Sequence, residues 1–288
     1  MKYLKLMRIK NYIKNVLIFI PFIFSGKFLV FDSTYITLIL GVLAFCLTSS
    51  MVYIINDLKD LESDKLDVTK KKRPLAAGLI TTKQAIFLLC CLGLLFIILN
   101  LCIQNIGVFI ISVGYIVLNV LYSVKLKYIP VVDITVLSVF YLIRIYYGGF
   151  LVNCQVSVYL YLTVLCFAYM MGTDKRKVEM KAEQGNRKVL KQYTFEYLDV
   201  LSYIFMGLTI VFYALWLITV GASFHTFSWL LLSIFILIFI LMYYQYLMTL
   251  DRVNGNPVDV IFEDKLLVYS VVVYLVVMLL HYITFVFK

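Results

Sequence analysis

Apolar runs of about 16–24 residues recur from one end of this chain to the other, and that repetition limits the possible folds more than any other feature. A helix needs roughly 20 apolar residues to cross bilayer hydrocarbon, where every backbone polar group must be satisfied internally. The composition agrees. Of 288 residues, 63% are hydrophobic and 15% charged, which is more apolar surface than a water-soluble domain buries. Nine spans are expected, near Tyr12–Phe24, Tyr35–Ile55, Ala85–Cys102, Ile106–Val124, Ile129–Phe150, Val156–Met171, Leu198–Val220, Phe227–Leu250 and Leu266–Phe287. The first is the shortest and carries Pro21. The longest polar stretches, Asn56–Lys83 and Thr173–Tyr197, read as loops between spans, so residues 1–288 are expected to form one integral-membrane domain.

Loop charge orients the chain. Assigning alternate loops to one side places 23 of the 26 Lys and Arg residues in the N-terminal segment and the even-numbered loops; Lys27 and Lys288 fall on the other side and Arg144 lies inside a span. The positive-inside rule makes the basic side cytoplasmic, giving a multi-pass protein of the cell (inner) membrane with its N-terminus inside. Residues 1–14 alternate Lys and Arg with Leu4, Leu6, Met7 and Ile9 and show no small-residue cleavage site, as in a retained interfacial helix. The net charge of +10 then reflects topology and attraction to anionic membrane lipids, not nucleic acid. The six cysteines form no paired zinc spacing, and the two histidines, His225 and His281, lie on the far side or in the last span. Without a Gly-rich phosphate loop, a GxSxG elbow or a redox motif, most enzyme classes drop out.

Directly after the second span comes Asn56-Asp57-Leu58-Lys59-Asp60-Leu61-Glu62-Ser63-Asp64-Lys65-Leu66-Asp67, with Asp at steps of three, four and three. If the helix runs on past the membrane, these carboxylates share one face about a turn apart. Left uncompensated they repel. Together with the Asn56 amide they suit a hard cation such as Mg2+, which keeps water and substrate phosphates as its other ligands and stabilises a departing diphosphate. A solvated helix face is the plainer alternative. Lys70-Lys71-Lys72-Arg73-Pro74 follows, either a charge anchor or a phosphate clamp, with Lys70 and Arg73 one turn apart.

Asn56-Asp57-x-x-Asp60-x-x-x-Asp64, followed by Lys70-x-x-Arg73-Pro74-x-Ala76-x-Gly78, resembles the first signature of the UbiA-type intramembrane prenyltransferase superfamily, with Asp67-Val68 where that family usually has His-Pro. Other segments are similar to its decaprenyl-phosphate phosphoribosyltransferase-like branch. They are Arg8 with Lys14-Asn15, Tyr122-Ser123-x-x-Leu126-Lys127-x-x-Pro130-x-x-Asp133, Lys175-Arg176-x-x-Glu179, and Tyr193-Thr194-x-Glu196-Tyr197-Leu198. The resemblance implies an all-α bundle of about nine transmembrane helices around a central cytosol-facing cavity. It also implies a Mg2+-dependent transferase joining a polyprenyl phosphate to phosphoribosyl diphosphate. On this reading Asp57, Asp60 and Asp64 hold metal and catalyse, while Lys14, Asn56, Lys70, Arg73, Asn119, Tyr122, Lys127, Asp133, Lys175, Arg176 and Glu179 bind substrates.

Superfamily members that prenylate aromatic acceptors carry a second Asp-rich motif between spans six and seven. Here that loop reads Asp174-Lys175-Arg176-Lys177-Val178-Glu179, with Val178 where the partner carboxylate is expected and three cations between; Glu179 and Glu183 could form a displaced pair. A donor with a 5-phosphate and an acceptor with another phosphate need additional cations. The basic run therefore points to phosphoribosyl diphosphate unless it only anchors the loop. Two rivals stay open: a prenyltransferase with an aromatic or other small acceptor, and a non-enzymatic lipid-phosphate transporter, against which the Asp stripe argues because bare carboxylates repel an anionic lipid. Asp133 and Arg144, eleven residues apart on span five, share an inward face, the first a candidate site residue and the second a structural or snorkelling one. Asn119 and Tyr122 either line the cavity or bond a neighbouring helix.

The charge asymmetry predicts that Cys introduced at Lys72 and Lys188 reacts with an impermeant reagent from the cytoplasmic side and at Ser223 from the opposite side. Labelling of positions 72 and 223 from one side would contradict the nine-span topology.

Overall fold

The computed structural model describes residues 2–29, 31–67, 70–181, 188–220, 229–250 and 257–286; Val68, Glu183, Ser223, His225 and Lys288 lie outside them. Among the described residues every regular element is helical. In chain order they are α1 (Lys2–Met7), a 3-10 segment (Ile9–Phe19), α2 (Ile20–Phe24), α3 (Thr34–Lys59), α4 (Leu61–Leu66), α5 (Thr82–Ile103), α6 (Ile106–Val124), α7 (Val132–Leu151), α8 (Val158–Lys181), α9 (Phe195–Thr219), α10 (Trp229–Thr249), α11 (Pro257–Glu263) and α12 (Lys265–Val286). Short 3-10 turns also cover Lys70–Lys72, Leu126–Tyr128 and Lys188–Gln192.

Seven of these helices, α3, α5, α6, α7, α9, α10 and α12, are long and apolar enough to cross a membrane. The chain is a multi-pass membrane protein. The expected first span instead falls on the 3-10 segment and α2, after a left-handed residue at Arg8 (φ 53°) that ends α1. The expected sixth span lies in α8, which runs on to Lys181 and so carries Asp174 to Glu179 on a helix, not in the expected loop. That polar end lowers the apolarity of the whole element.

The chain forms two compact units, Met1–Leu126 with Phe140–Val156, and Lys127–Val139 with Ser157–Lys288. In the first, α3 is central: 61% of its apolar window is buried, against 17% for α5, whose Phe87, Leu94 and Leu101 face outward as lipid-facing residues do. Leu6 of α1 and the loop residues Leu75 and Ile80 join Met51 and Ile54 of α3 and Ala85 and Leu92 of α5 in one apolar cluster. A Thr81–Gln84 capping box starts α5, and Gly78, at φ +70°, supplies the left-handed turn that brings the loop there. Arg144 does not snorkel. It is buried, bonding Asn15 Oδ1 at 3.0 Å, the Phe140 carbonyl at 2.5 Å and the Tyr115 hydroxyl at 3.1 Å, with its face over the Phe45 ring. These bonds pin the 3-10 segment to α7 and α6. Gly148 lets that segment come close, since a Cβ there would collide with the Ile18 carbonyl oxygen.

In the second unit α8 packs on α9, and Met170, Leu241, Tyr244 and Leu267 tie α8, α10 and α12 into one core. A smaller cluster of Ile134, Val189, Tyr193 and Leu198 seats the first turn of α7 beside the start of α9.

Gly148→Ala should therefore destabilise the protein by about 1–3 kcal/mol in detergent thermal unfolding, as overpacked sites do. Gly93→Ala, whose Cβ would meet only Met51 Sδ at 3.9 Å, should be neutral or stabilising.

Candidate active site

The acidic stripe does not continue as one straight helix. Asp60 interrupts it with φ −89° and ψ 9° between α3 and α4, and the Ser63 hydroxyl bonds the Asp60 carbonyl at 2.8 Å. The backbone bonds run on across it, from Asp60 N to the Asn56 carbonyl and from Asp64 N to the Asp60 carbonyl, and Asp57 and Asp64 meet on Arg73. Arg73 Nη1 lies 3.3 Å from Asp57 Oδ1 and 2.5 Å from Asp64 Oδ2, so both carboxylates converge on one nitrogen, while Arg8 also pairs with Asp57 and stacks on the Tyr53 ring. The two Asp side chains are 2% and 3% exposed; the Arg73 side chain is 29% exposed.

Around this centre the loop and the end of α6 act as fasteners. Ser123 donates to Asn56 Oδ1 at 2.6 Å, and Lys59 Nζ bonds the Ser123 carbonyl at 2.8 Å, fixing the turn of α3 that carries Asp57. Lys70 sits apart from the pair, facing Asp67 at 3.5 Å, and Asp60 is half-buried at the bend. Asn119 donates to the Tyr115 carbonyl within α6 at 2.7 Å, and the Tyr122 ring meets Phe140 edge-on. Lys14 is half-buried on the 3-10 segment.

No three His, Cys, Asp or Glu side chains among the described residues gather into a ready metal cage. The donors at Asp57 and Asp64 nevertheless fit a hard divalent cation: they are all oxygen, nearly dry and already focused on a positive charge. A metal of the Mg2+ type takes few protein ligands and completes its shell with water and phosphate oxygens.

The second unit holds another polar group. Asp133, with no exposed surface, accepts from Arg176 Nε and the Tyr193 hydroxyl, each at 2.6 Å, and Arg176 also pairs with Glu179 at 2.5 Å. Burial and donation to Asp133 push the Tyr193 phenol well above its ordinary pKa. Arg176 is itself fully buried, so the basic run is not a solvated patch; Lys175 beside it is half-buried. Asp174 is closed in. Lys177 Nζ at 2.8 Å and the Ser202 hydroxyl at 2.7 Å reach its Oδ1, and Gln245 Nε2 reaches Oδ2 at 3.1 Å. Lys177 also pairs with Asp199 at 2.9 Å. Burial alone would lower the Lys177 pKa, but the two carboxylates outweigh it and hold it above the usual value. Lys127, half-buried, leans over the Tyr128 ring.

Ser202, Gln245 and Asp199 carry no sequence signal that could have marked them. The Tyr122-Ser123 and Tyr193 motifs were visible, yet what Ser123 and Tyr193 hold emerges only from packing.

Comparison with known proteins adds four matches. The model of the UbiA prenyltransferase family matches residues 18–261. The decaprenyl-phosphate phosphoribosyltransferase of Corynebacterium glutamicum is 29% identical over 219 residues, 74% of this chain and 66% of that protein, so the chain spans just under two thirds of this relative. A protein of the same name from Mycolicibacterium smegmatis is 27% identical over 281 residues, 92% of this chain and 87% of that protein. Among solved structures, a UbiA homolog from Archaeoglobus fulgidus bound to GPP and Mg2+ matches with a TM-score of 0.71 at 18% identity, covering 96% of this chain and 97% of that one. At that identity the likeness establishes the fold.

Arg176→Ala would leave Asp133 buried without its cation, and should lower stability by roughly 3–5 kcal/mol.

Proposed function

The chain belongs to the UbiA prenyltransferase family, and from that premise we propose that it moves a 5-phosphoribosyl group from phosphoribosyl diphosphate to a polyprenyl phosphate, releasing diphosphate. The observation that carries this choice of donor is the closure of Asp174 by Lys177, Ser202 and Gln245. Those partners are all but unexposed, unlike the partly exposed Arg73 over Asp57 and Asp64, so Asp174 is poorly placed to exchange them for a second metal on a prenyl diphosphate. With Val178 in the partner position, the metal-binding carboxylates reduce to the first stripe. The names of the Corynebacterium and Mycolicibacterium relatives support the same donor and acceptor. The rival, transfer of a prenyl group, draws on the GPP-bound structural neighbour, whose likeness speaks for the fold alone.

In this reading Asp57 and Asp64, assisted by Asp60, hold Mg2+. Bound there, Mg2+ supplies neutralising charge to the leaving diphosphate. Arg73 and Lys70 grip diphosphate oxygens, with Arg73 able to hold two at once. Asn56, fixed by Ser123, keeps the α3 turn in register. Lys14, Lys127 and Lys175 are assigned to the 5-phosphate and the lipid phosphate, and Asn119 and Tyr122 to the lipid side of the first unit. Arg176, Asp133 and Glu179 position the backbone that carries Lys175, because the guanidinium is sealed between the two carboxylates. The ribose C1–O bond to diphosphate breaks as a lipid phosphate oxygen takes C1. That nucleophile is already ionised, so no general base is needed. We place the N-terminus and the charged loops in the cytoplasm and count nine spans in the cell membrane, the 3-10 segment with α2 and the apolar part of α8 completing the seven.

Purified protein given a polyprenyl phosphate, phosphoribosyl diphosphate and Mg2+ should yield a polyprenyl-phosphoryl-ribose 5-phosphate by mass spectrometry. Asp57→Asn, which keeps the side chain's volume but removes its charge, or excess chelator should abolish it, with detergent thermal unfolding measured alongside to separate lost activity from lost fold. Consumption of a prenyl diphosphate with an aromatic acceptor, and none of the phosphoribosyl donor, would establish the rival; no turnover with either donor would favour the transporter.

A further inference from the structure

Asp57 and Asp64 face two guanidinium groups in a nearly dry setting, so their charges are already balanced without a metal. The nitrogen on which they converge, Arg73 Nη1, stands where a divalent cation shared by the two carboxylates would have to sit. We propose that Arg73 is the internal occupant of that metal position in the substrate-free protein, and that metal and diphosphate therefore bind only as a couple. The proposal rests on the metal role assigned above to Asp57 and Asp64.

The charge balance gives the reason. A bare divalent ion entering this pair must expel Arg73 and would leave a doubly charged ion beside two guanidinium groups, four positive charges against three carboxylates even with Asp60 included. Water cannot make up the difference, because the carboxylates are all but unexposed and displaced charges in such places are costly. A diphosphate changes this. It brings its own negative charge with the metal and offers Arg73 a two-pronged acceptor, so the guanidinium moves from carboxylate to phosphate instead of being left unpaired. The hinge for that move is short. The Arg73 backbone is held by the packed Pro74-Leu75 turn, whereas its side chain is partly exposed and has room to swing. By linkage, the diphosphate must raise metal affinity by the factor that the metal raises diphosphate affinity. Such coupling keeps free Mg2+ from locking the site before the donor arrives.

The test measures protein-bound Mn2+, as a Mg2+ surrogate, by equilibrium dialysis at matched free Mn2+ with and without inorganic diphosphate. Wild-type protein should bind Mn2+ at least tenfold more tightly with diphosphate than without. Arg73→Gln removes the internal cation and keeps a polar, though shorter, side chain. It should bind Mn2+ alone at least tenfold more tightly than wild type does and gain little from diphosphate. Equal Mn2+ affinity of wild type with and without diphosphate would overturn the proposal, and so would a folded Arg73→Gln protein that binds Mn2+ alone no better than wild type. The wild-type comparison stands by itself should Arg73→Gln fail to fold. Asp64→Asn separates the two levels: if it binds Mn2+ with diphosphate as well as wild type does, the metal role of the stripe falls, whereas loss in Asp64→Asn without coupling in wild type refutes only the part given to Arg73.

Discussion

The convergence of Asp57 and Asp64 on the Arg73 guanidinium is the interaction on which the first unit depends. Two carboxylates with almost no exposure are costly to bury unless cations stand against them, and the surroundings deliver those cations. The left-handed turn at Arg8 sends one guanidinium over Tyr53 toward Asp57. The loop from Pro74 to Ile80, anchored in the α3–α5 core with the help of Gly78, presents the other. Ser123 and Lys59 lock the turn of α3 that bears Asp57. Helix, loop and N-terminal segment thus answer one electrostatic requirement.

The second unit meets the same requirement differently. Arg176 and Lys177 are consumed internally, by Asp133 with Glu179 and by Asp174 with Asp199. Two cations within a residue pattern that resembles a substrate-binding signature here tie α8 to the first turn of α7 and to α9. That leaves Arg176, Lys177, Asp133 and Asp174 engaged with one another.

Long apolar runs made seven spans legible, because length and hydropathy are local properties of the chain. The 3-10 course of residues 9–19 was not, since it depends on Arg144 reaching Asn15 and on the missing side chain of Gly148, both more than a hundred residues away. The Asp stripe and the Arg73 motif were readable as spacing. Their convergence on Arg73 was not, because it needs the closure of the loop that carries that residue. The basic run of α8 could be seen, but its burial depends on Asp133 and Tyr193, which the fold alone brings to it.

Where the donor's phosphorus atoms end up tests phosphoribosyl transfer most directly. With phosphoribosyl diphosphate labelled at the 5-phosphate, and separately at the β-phosphate, the two labels should part company during turnover with lipid phosphate and Mg2+. The 5-phosphate label should enter the lipid fraction and the β label should stay in water as diphosphate. Both labels remaining in the water phase, while a labelled prenyl diphosphate is converted under the same conditions, would contradict it.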